Sequence, residues 1–157
     1  MSSSIPGAVS NLITILTAAL PSTTEVYFSA NEGVFKAPQC LLITGVVGDQ
    51  QPAEMSPGYK REETYAIQCK LVSFAGDQSS ADYVARMTEV MALFATVEIT
   101  IGNNPWLSTT GSHDGTSAVR YAEVGTFDLV PKPNGTGGST CELSFDVHCS
   151  ARVTSLT

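Results

Sequence analysis

The stretch from Gly138 to Val153, GSTCELSFDVHCSARV, limits the possible folds of this chain more than any other stretch does. From Cys141 onward every odd-numbered residue is apolar, and from Thr140 onward every even-numbered residue is polar. Side chains alternate between the two faces of a strand, so the pattern predicts one long β-strand with a buried face and a solvated face. At ~3.3 Å per residue this strand would extend for about 45 Å, more than twice the usual length. We therefore expect loops or a neighbouring subunit to cover part of the apolar row.

Two cysteines and a histidine within this strand raise the question of a metal site. The alternation places Cys141 and Cys149 on the buried face and His148 on the solvated face, so His148 and Cys149 cannot bind one ion in a regular strand. A structural site needs about four converging ligands, and the other histidine, His113, lies in a predicted loop. The sequence therefore predicts no metal site and no cofactor, with free cysteines that pack as small apolar side chains.

Length and composition predict a single acidic domain over residues 1–157. Hydrophobic residues make up 43% of the chain, which is enough for a core, and charged residues only 15%. The net charge of −7 argues against a nucleic-acid-binding face, because phosphate binding needs clustered Lys and Arg. The N-terminal MSSSIPGAV lacks the basic region of a signal peptide, and no apolar run is long enough for a membrane span. We therefore expect a cytosolic, reducing compartment and no contact with a membrane.

Periodicity and turn residues predict an α+β fold: a mostly antiparallel sheet with long C-terminal strands and two helices packed on one face. The first helix would begin after a Ser4 cap, continue to Leu20 and end at Pro21. The second would begin after Ser79 or Ser80, with Asp82 in its first turn. Its predicted apolar stripe is Tyr83, Met87, Val90, Met91 and Phe94. Strands are predicted at 25–29, 40–47, 63–74, 97–102, 119–130 (with a bulge near 123–125) and 140–153, and long loops at 48–61 and 103–117.

A search for catalytic patterns favours a protein that is not an enzyme. The sequence contains no GxSxG, Walker loop, GxGxxG after a strand or HExxH. The run Ser112–Asp114 reads SHD, but neighbouring residues in a loop do not form a triad by adjacency. Glu62 and Glu63 are consecutive in a strand and point to opposite faces, so they are not a carboxylate pair.

Two segments are candidates for contact with other subunits. The predicted loop 48–61 is rich in Pro and Gly and ends in Tyr59, Lys60 and Arg61. The loop 103–117 holds Trp106, the only tryptophan. Tyr, Trp and Arg are favoured anchors at protein interfaces. We expect these four residues to lie at a subunit interface.

The order of elements, the N-terminal helix pattern AVxxLxxIL (Ala8–Leu16) and the terminal strand SFDVHCSARV (Ser144–Val153) resemble the tail terminator proteins of long-tailed bacteriophages. The resemblance extends from Ile5 to Val153. It implies a hexameric ring at the head-proximal end of the tail tube, which stops tube polymerisation and joins the tail to the head. The implied partners are other copies of the chain, the major tail tube protein and the head-tail connector or stopper. The genome would pass through the lumen without sequence-specific binding, and the protein would be found in the virion tail or neck, and in the host cytoplasm during assembly.

Two alternatives remain open from the sequence. The first is another neck or tail component with a similar α+β build, such as a head-tail stopper or a tail-tube subunit. The second is a cytosolic small-molecule-binding or hydrolytic domain, with its pocket between the sheet and the two loops.

Overall fold

Two helices pack against one face of a five-stranded mixed sheet in a computed structural model that describes residues 3–28, 38–52, 60–110, 117–133 and 137–154. The elements in chain order are α1 (Ile5–Ala19), β1 (Thr24–Phe28), β2 (Gln39–Pro52), β3 (Lys60–Ala75), α2 (Ser80–Asn103), β4 (Val119–Pro133) and β5 (Ser139–Thr154). The strand order in the sheet is β1-β2-β3-β5-β4. β1 pairs with β2 in parallel, and the other three neighbouring pairs are antiparallel. The α+β class, the mostly antiparallel sheet and the helices on one face are confirmed.

β5 shows the alternation predicted from its sequence. Its apolar residues from Cys141 to Ala151 are buried, Val153 is half-buried, and His148 is exposed on the opposite face. One core cluster joins this apolar row to leucines of α1 and to the inner face of α2. The expectation that loops or a neighbouring subunit must cover part of the row is therefore wrong up to Ala151, because the chain's own helices cover it.

An apolar stripe holds α1 on the sheet, as its spacing predicts. Leu12 and Leu16 are fully buried, and the helix stops just before Pro21, which disfavours helical backbone in the residue that precedes it. Ser4 occupies the predicted N-cap position but makes no side-chain capping bond to the helix. Its hydroxyl donates instead to the carboxylate of Glu63 on β3, so the start of α1 is fastened to the sheet.

α2 begins with a capping box. The Ser79 hydroxyl accepts a hydrogen bond from the backbone N–H of Asp82, and the Asp82 carboxylate accepts one from the backbone N–H of Ser79. This identifies Ser79 as the cap. Val90 and Phe94 of the predicted stripe are buried, whereas Met91 is 36% exposed and was wrongly placed in it.

Residues 97–102, predicted as a short strand, belong to α2 instead. Val97 and Ile101 are buried four residues apart, in line with Phe94. β-Branched residues favour strands only by small amounts, and burial along a helical stripe outweighs that preference here.

Every described residue of the predicted loop 48–61 is strand. β2 continues to Pro52 and β3 begins at Lys60, while residues 53–59 lie outside the described part of the chain. The polar residues from Gly48 to Gln51 pair with Glu62–Tyr65, so the ladder satisfies their backbone groups although they supply little apolar surface. A Cβ atom at Gly48 would lie 2.7 Å from the Cβ of Tyr65, which explains the glycine at this position.

The bulge predicted near 123–125 is confirmed, since β4 gains one residue on β5 between Val124 and Phe127. A second irregularity separates Val119 and Tyr121. The described part of the loop 103–117, up to residue 110, is packed on the domain. Leu107, with a φ of 48°, is fully buried there.

Candidate interface surfaces

The sheet has two edges where a further strand could pair. β1 is short and covers only Gln39–Ile43 of β2, so from Thr44 to Pro52 no described strand pairs with the outer side of β2. At the other edge, no described strand pairs with the outer side of β4. Unpaired strand edges present backbone donors and acceptors that recruit another strand.

The two edges have complementary directions. Neighbouring strands from β2 through β3 and β5 to β4 are all antiparallel, so β2 and β4 run in opposite directions. If the β4 edge of one copy met the β2 edge of the next, the new pair would also be antiparallel. The C-terminal part of β4 is less suitable for such pairing, because Pro131 and Pro133 have no N–H to donate. The segment Val119–Val124 is the part of β4 best suited to pair.

The sheet face opposite the helices is mainly polar where β3, β5 and β4 meet. Lys70 of β3 and Lys132 of β4 place their Nζ atoms 3.6 Å and 2.9 Å from Glu142 Oε2 of β5. Arg152 of β5 pairs with Glu62 of β3. The two lysines therefore share one carboxylate, and Arg152 has a carboxylate of its own.

A wide, shallow cleft of about 550 Å³ crosses this open face and reaches from one edge to the other. Val47 of β2 and Tyr121 of β4, at its two ends, are 63% and 53% exposed. Between them lie Thr64, His148 and Ser150. The register places Val47 level with Glu123 of β4, and Tyr121 level with Asp49 of β2, so Val47 and Tyr121 lie two residues apart along the strands.

A second cleft of about 600 Å³ lies beside the C-terminal end of β3 and the first turns of α2. Its polar groups bind one another: Ser73 donates to Glu89, and Arg86 Nη2 lies 2.8 Å from Glu89 Oε1. The guanidinium and the carboxylate thus neutralise each other inside the cleft.

Glu63 is the buried carboxylate that joins α1 to the sheet. Its side chain is 1% exposed, and it accepts hydrogen bonds from the backbone N–H of Ser4 at 2.9 Å and from the Ser3 hydroxyl. Arg61 Nη2 lies 2.7 Å from its second oxygen. Burial acts to raise the pKa of Glu63, but the hydrogen bonds from Ser4, Arg61 and Ser3 together outweigh it and hold that pKa below its ordinary value.

The four residues predicted at an interface have different positions. Tyr59 lies outside the described residues, and Lys60 is the first residue of β3, paired with Thr154. The Arg61 side chain is 20% exposed and is held by Glu63 of its own chain. Trp106 is half-buried in the segment after α2. The interface role of the four residues stays a prediction.

Arg61 and the Trp106 segment are both attached to α1. Arg61 reaches Ser4 through Glu63, and Asn11 donates from Nδ2 to the backbone oxygen of Leu107, next to Trp106, at 3.0 Å. Ser4 and Asn11 are seven residues apart, or about 10 Å along a helix. Alternation along β3 places Glu63 on the buried face with Tyr65, so the burial of Glu63 has a signal in the sequence. The two open edges have no such signal, because they depend on strand order.

All four cysteines are buried, as predicted for free cysteines that pack as small apolar side chains. Burial raises the pKa of every thiol, to about 11 for Cys40 and about 12 for Cys149, and upward also for Cys69 and Cys141. The thiols are therefore protonated at neutral pH. In the described part of the chain, no three His, Cys, Asp or Glu side chains come close enough to hold a metal ion.

Neither described helix combines the length and apolar character needed to cross a membrane. A comparison of the sequence with models of known protein families gives no match. A comparison with curated proteins gives no significant match either.

Proposed function

We propose that the chain is a structural, non-catalytic protein of a long-tailed bacteriophage: a tail terminator that forms a hexameric ring at the head-proximal end of the tail tube. The ring would end tube polymerisation and join the tail to the head connector or stopper. In the infected cell it would assemble in the cytoplasm and then remain in the virion neck. The observation that carries this proposal is a pair of sheet edges with opposite strand directions, on whose outer sides no described strand pairs.

These edges support a ring for a geometric reason. A contact between two different surfaces of one subunit is heterologous, and repeating it produces a closed ring when the rotation closes. Pairing of β4 with the outer side of β2 would continue the antiparallel sheet across the junction without changing the orientation of any subunit. The elements also follow the order that resembles tail terminators, including the helix with AVxxLxxIL and the long final strand.

The open sheet face is suited to the inside of such a ring. Closing the sheet turns one face inward, and the helices would then lie outside. Lys70 and Lys132 of the open face share the carboxylate of Glu142, Arg152 pairs with Glu62, and the whole chain carries a net charge of −7. A ring of subunits with this net charge would repel phosphate overall instead of holding it, as a passage for the genome requires.

Other neck and tail components are the main alternative, because free edges of this kind would equally serve a tail-tube subunit. A tube subunit stacks ring upon ring, whereas a terminator adds one ring and stops. The two functions therefore differ in whether the purified protein grows into tubes.

Electron microscopy of the purified protein, alone and mixed with tail tubes, tests the ring directly. We expect single rings with six-fold symmetry at one end of each tube, and no tubes from the purified protein alone. The double variant Val47→Glu/Tyr121→Glu should abolish them, since it places like charges within two residues of each other along the strands on the two sides of each junction. The matched control Val47→Lys/Tyr121→Glu offers opposite charges and should keep the rings. Absence of rings in all samples, or rings unaffected by the two glutamates, would count against the proposal.

A further inference from the structure

The outer face of α2 lacks the charges that a solvent-facing helix normally carries. Six exposed residues occupy about a third of the helix circumference at 3.6 residues per turn. They are Val84, Thr88, Met91, Ala92, Ala95 and Ile99. Val84 and Ile99 are 61% and 64% exposed. Exposed apolar surface of this kind marks interaction sites more often than chance.

The charged residues of α2 lie away from this face. Asp82 takes part in the capping box, and Arg86 and Glu89 pair beside the second cleft. Glu98 lines a small cleft against β4 on the other side. These four groups flank the apolar face and leave its centre uncharged.

α1 continues the uncharged surface. It packs beside α2 on the same side of the sheet and contains no charged residue. Its exposed positions include Pro6, Gly7, Ser10, Thr14, Thr17 and Ala18. The outer surface of the helical layer is therefore apolar or neutral along both helices.

Threonines of this surface can be covered by a partner at little cost. The hydroxyls of Thr14, Thr17 and Thr88 donate to backbone oxygens four residues earlier in their own helices, at 3.1, 2.6 and 2.9 Å. A buried donor without a partner is costly, but these hydroxyl protons are already used. Covering them leaves no donor unsatisfied.

The size of the surface fits a protein interface. α1 and α2 have 15 and 24 residues. At 1.5 Å per residue and about 10 Å in width, their outer faces amount to about 600 Å² per chain. Two such faces would bury about 1,200 Å², the lower end of the range for specific complexes.

We propose that this surface binds the same surface of a second copy of the chain. A two-fold interface requires a patch that is complementary to itself, and an uncharged patch meets its copy without like-charge repulsion. The apolar row from Val84 to Ile99 has its middle at Met91 and Ala92. The two-fold axis passes there, with the two α2 helices antiparallel.

This dimer goes beyond the proposed ring and does not depend on it. It uses helices, whereas the ring uses strand edges. A two-fold contact also makes a closed pair with no direction, and a ring that caps one end of a tube needs two different sides. The dimer is therefore a state of the free chain.

Light scattering during size-exclusion chromatography of the full chain, loaded at concentrations from about 1 to 200 µM, tests the proposal, because a dimer forms by mass action as the concentration rises. We expect the wild type to shift from one to two chains as concentration rises. Ala92→Arg should weaken this association at least tenfold, and Ser144→Arg, which adds the same charge to the open sheet face, should leave it unchanged. Circular dichroism confirms that each variant is folded.

Ala92→Cys provides a second, conservative variant. In a dimer with its axis at Ala92, two such chains should form an interchain disulfide under mild oxidation. The control Ala81→Cys lies in the first turn of α2, far from the axis, and should form none. A wild type that stays monomeric, an association that Ala92→Arg leaves intact, or a dimer without the disulfide of the Ala92→Cys variant would overturn the proposal. So would a monomer whose helical face binds only a different protein.

Discussion

At the scale of single residues, Glu63 is the side chain whose burial is hardest to satisfy. A carboxylate this inaccessible is tolerated only when it is paired and hydrogen-bonded. Ser3, Ser4 and Arg61 meet that requirement, and they connect β3 to the first turn of α1. Glu63 therefore contributes to stability by holding two elements together.

Replacing Glu63 by Gln keeps the shape and removes the charge. We expect a loss of about 1.5–3 kcal/mol in the free energy of unfolding at pH 7, the value of hydrogen bonds to a charged group. Urea unfolding of both proteins measures it. Glu62→Gln, which alters an exposed carboxylate on the opposite face, is the control and should have the smaller effect. An equal or smaller loss for Glu63→Gln would show that its contacts do not stabilise the fold.

The pH dependence of this difference follows from the lowered pKa of Glu63. A carboxyl group whose pKa is lower in the folded state stabilises the fold above its unfolded pKa, and the contribution is lost as pH falls through the folded value. The gap between wild type and Glu63→Gln should thus be full at pH 7 and shrink below the ordinary pKa of 4.5. A gap that stays constant down to pH 3 would contradict the assignment.

Burial of the four cysteines leads to a prediction about their reactivity. The thiolate is the reactive form, and burial both shields these thiols and raises their pKa. A thiol reagent at pH 8 should label fewer than about one cysteine per native chain within minutes, because the reagent reaches these thiols only when the fold opens locally. In denaturant it should label all four. Rapid native labelling of two or more would be inconsistent with this core.

At the scale of elements, the cap of α2 is the clearest link between sequence and structure. The Ser79 hydroxyl and the Asp82 carboxylate satisfy backbone N–H groups at the helix start. Ser79→Ala should lower the free energy of unfolding by about 1 kcal/mol, whereas Ser80→Ala, one residue later, should change it by less than about 0.5 kcal/mol. Thermal unfolding of the two variants shows which serine caps the helix. A larger effect of Ser80→Ala would place the cap one residue later.

The close approach of β2 and β3 at Gly48 gives a second prediction at this scale. A methyl group there would meet the Tyr65 Cβ, so Gly48→Ala should cost about 1–3 kcal/mol through strand displacement. Gly76→Ala is the control, because nothing lies within 4 Å of its added Cβ. Equal stabilities of the two variants would mean that the strands separate without strain.

Local pattern predicted those elements whose apolar residues follow one period. β5 alternates throughout, and α1 repeats at three and four, so both were predicted within one or two residues. The end of α2 was wrongly read as a strand because Val97, Ile99 and Ile101 also alternate. The polar ends of β2 and β3 were wrongly predicted as loop. They pair through backbone hydrogen bonds, and their sequences do not show the alternating apolar residues that predict a strand.

At the scale of the whole molecule, the candidate surfaces depend on how the strands and helices are placed relative to one another. They could not be predicted from the local pattern of apolar and polar residues. The free edges follow from the position of β5 between β3 and β4 and from the shortness of β1. The uncharged helical face depends on which side of α2 meets the sheet. Of the interface residues predicted from sequence, Arg61 is bound within its own chain. Side-chain type alone did not reveal that contact.

The central claim is that this chain ends tail-tube growth, and tail length in a phage lacking its gene tests that claim most directly. Electron microscopy of lysates should show tails of irregular, excessive length that fail to join heads, because nothing closes the growing end of the tube. A plasmid copy of the gene should restore uniform tails, and a copy with Val47→Glu/Tyr121→Glu should not. Tails of normal length in the deletion would contradict the account, and a defect confined to DNA retention would assign the chain to the head-tail stopper instead.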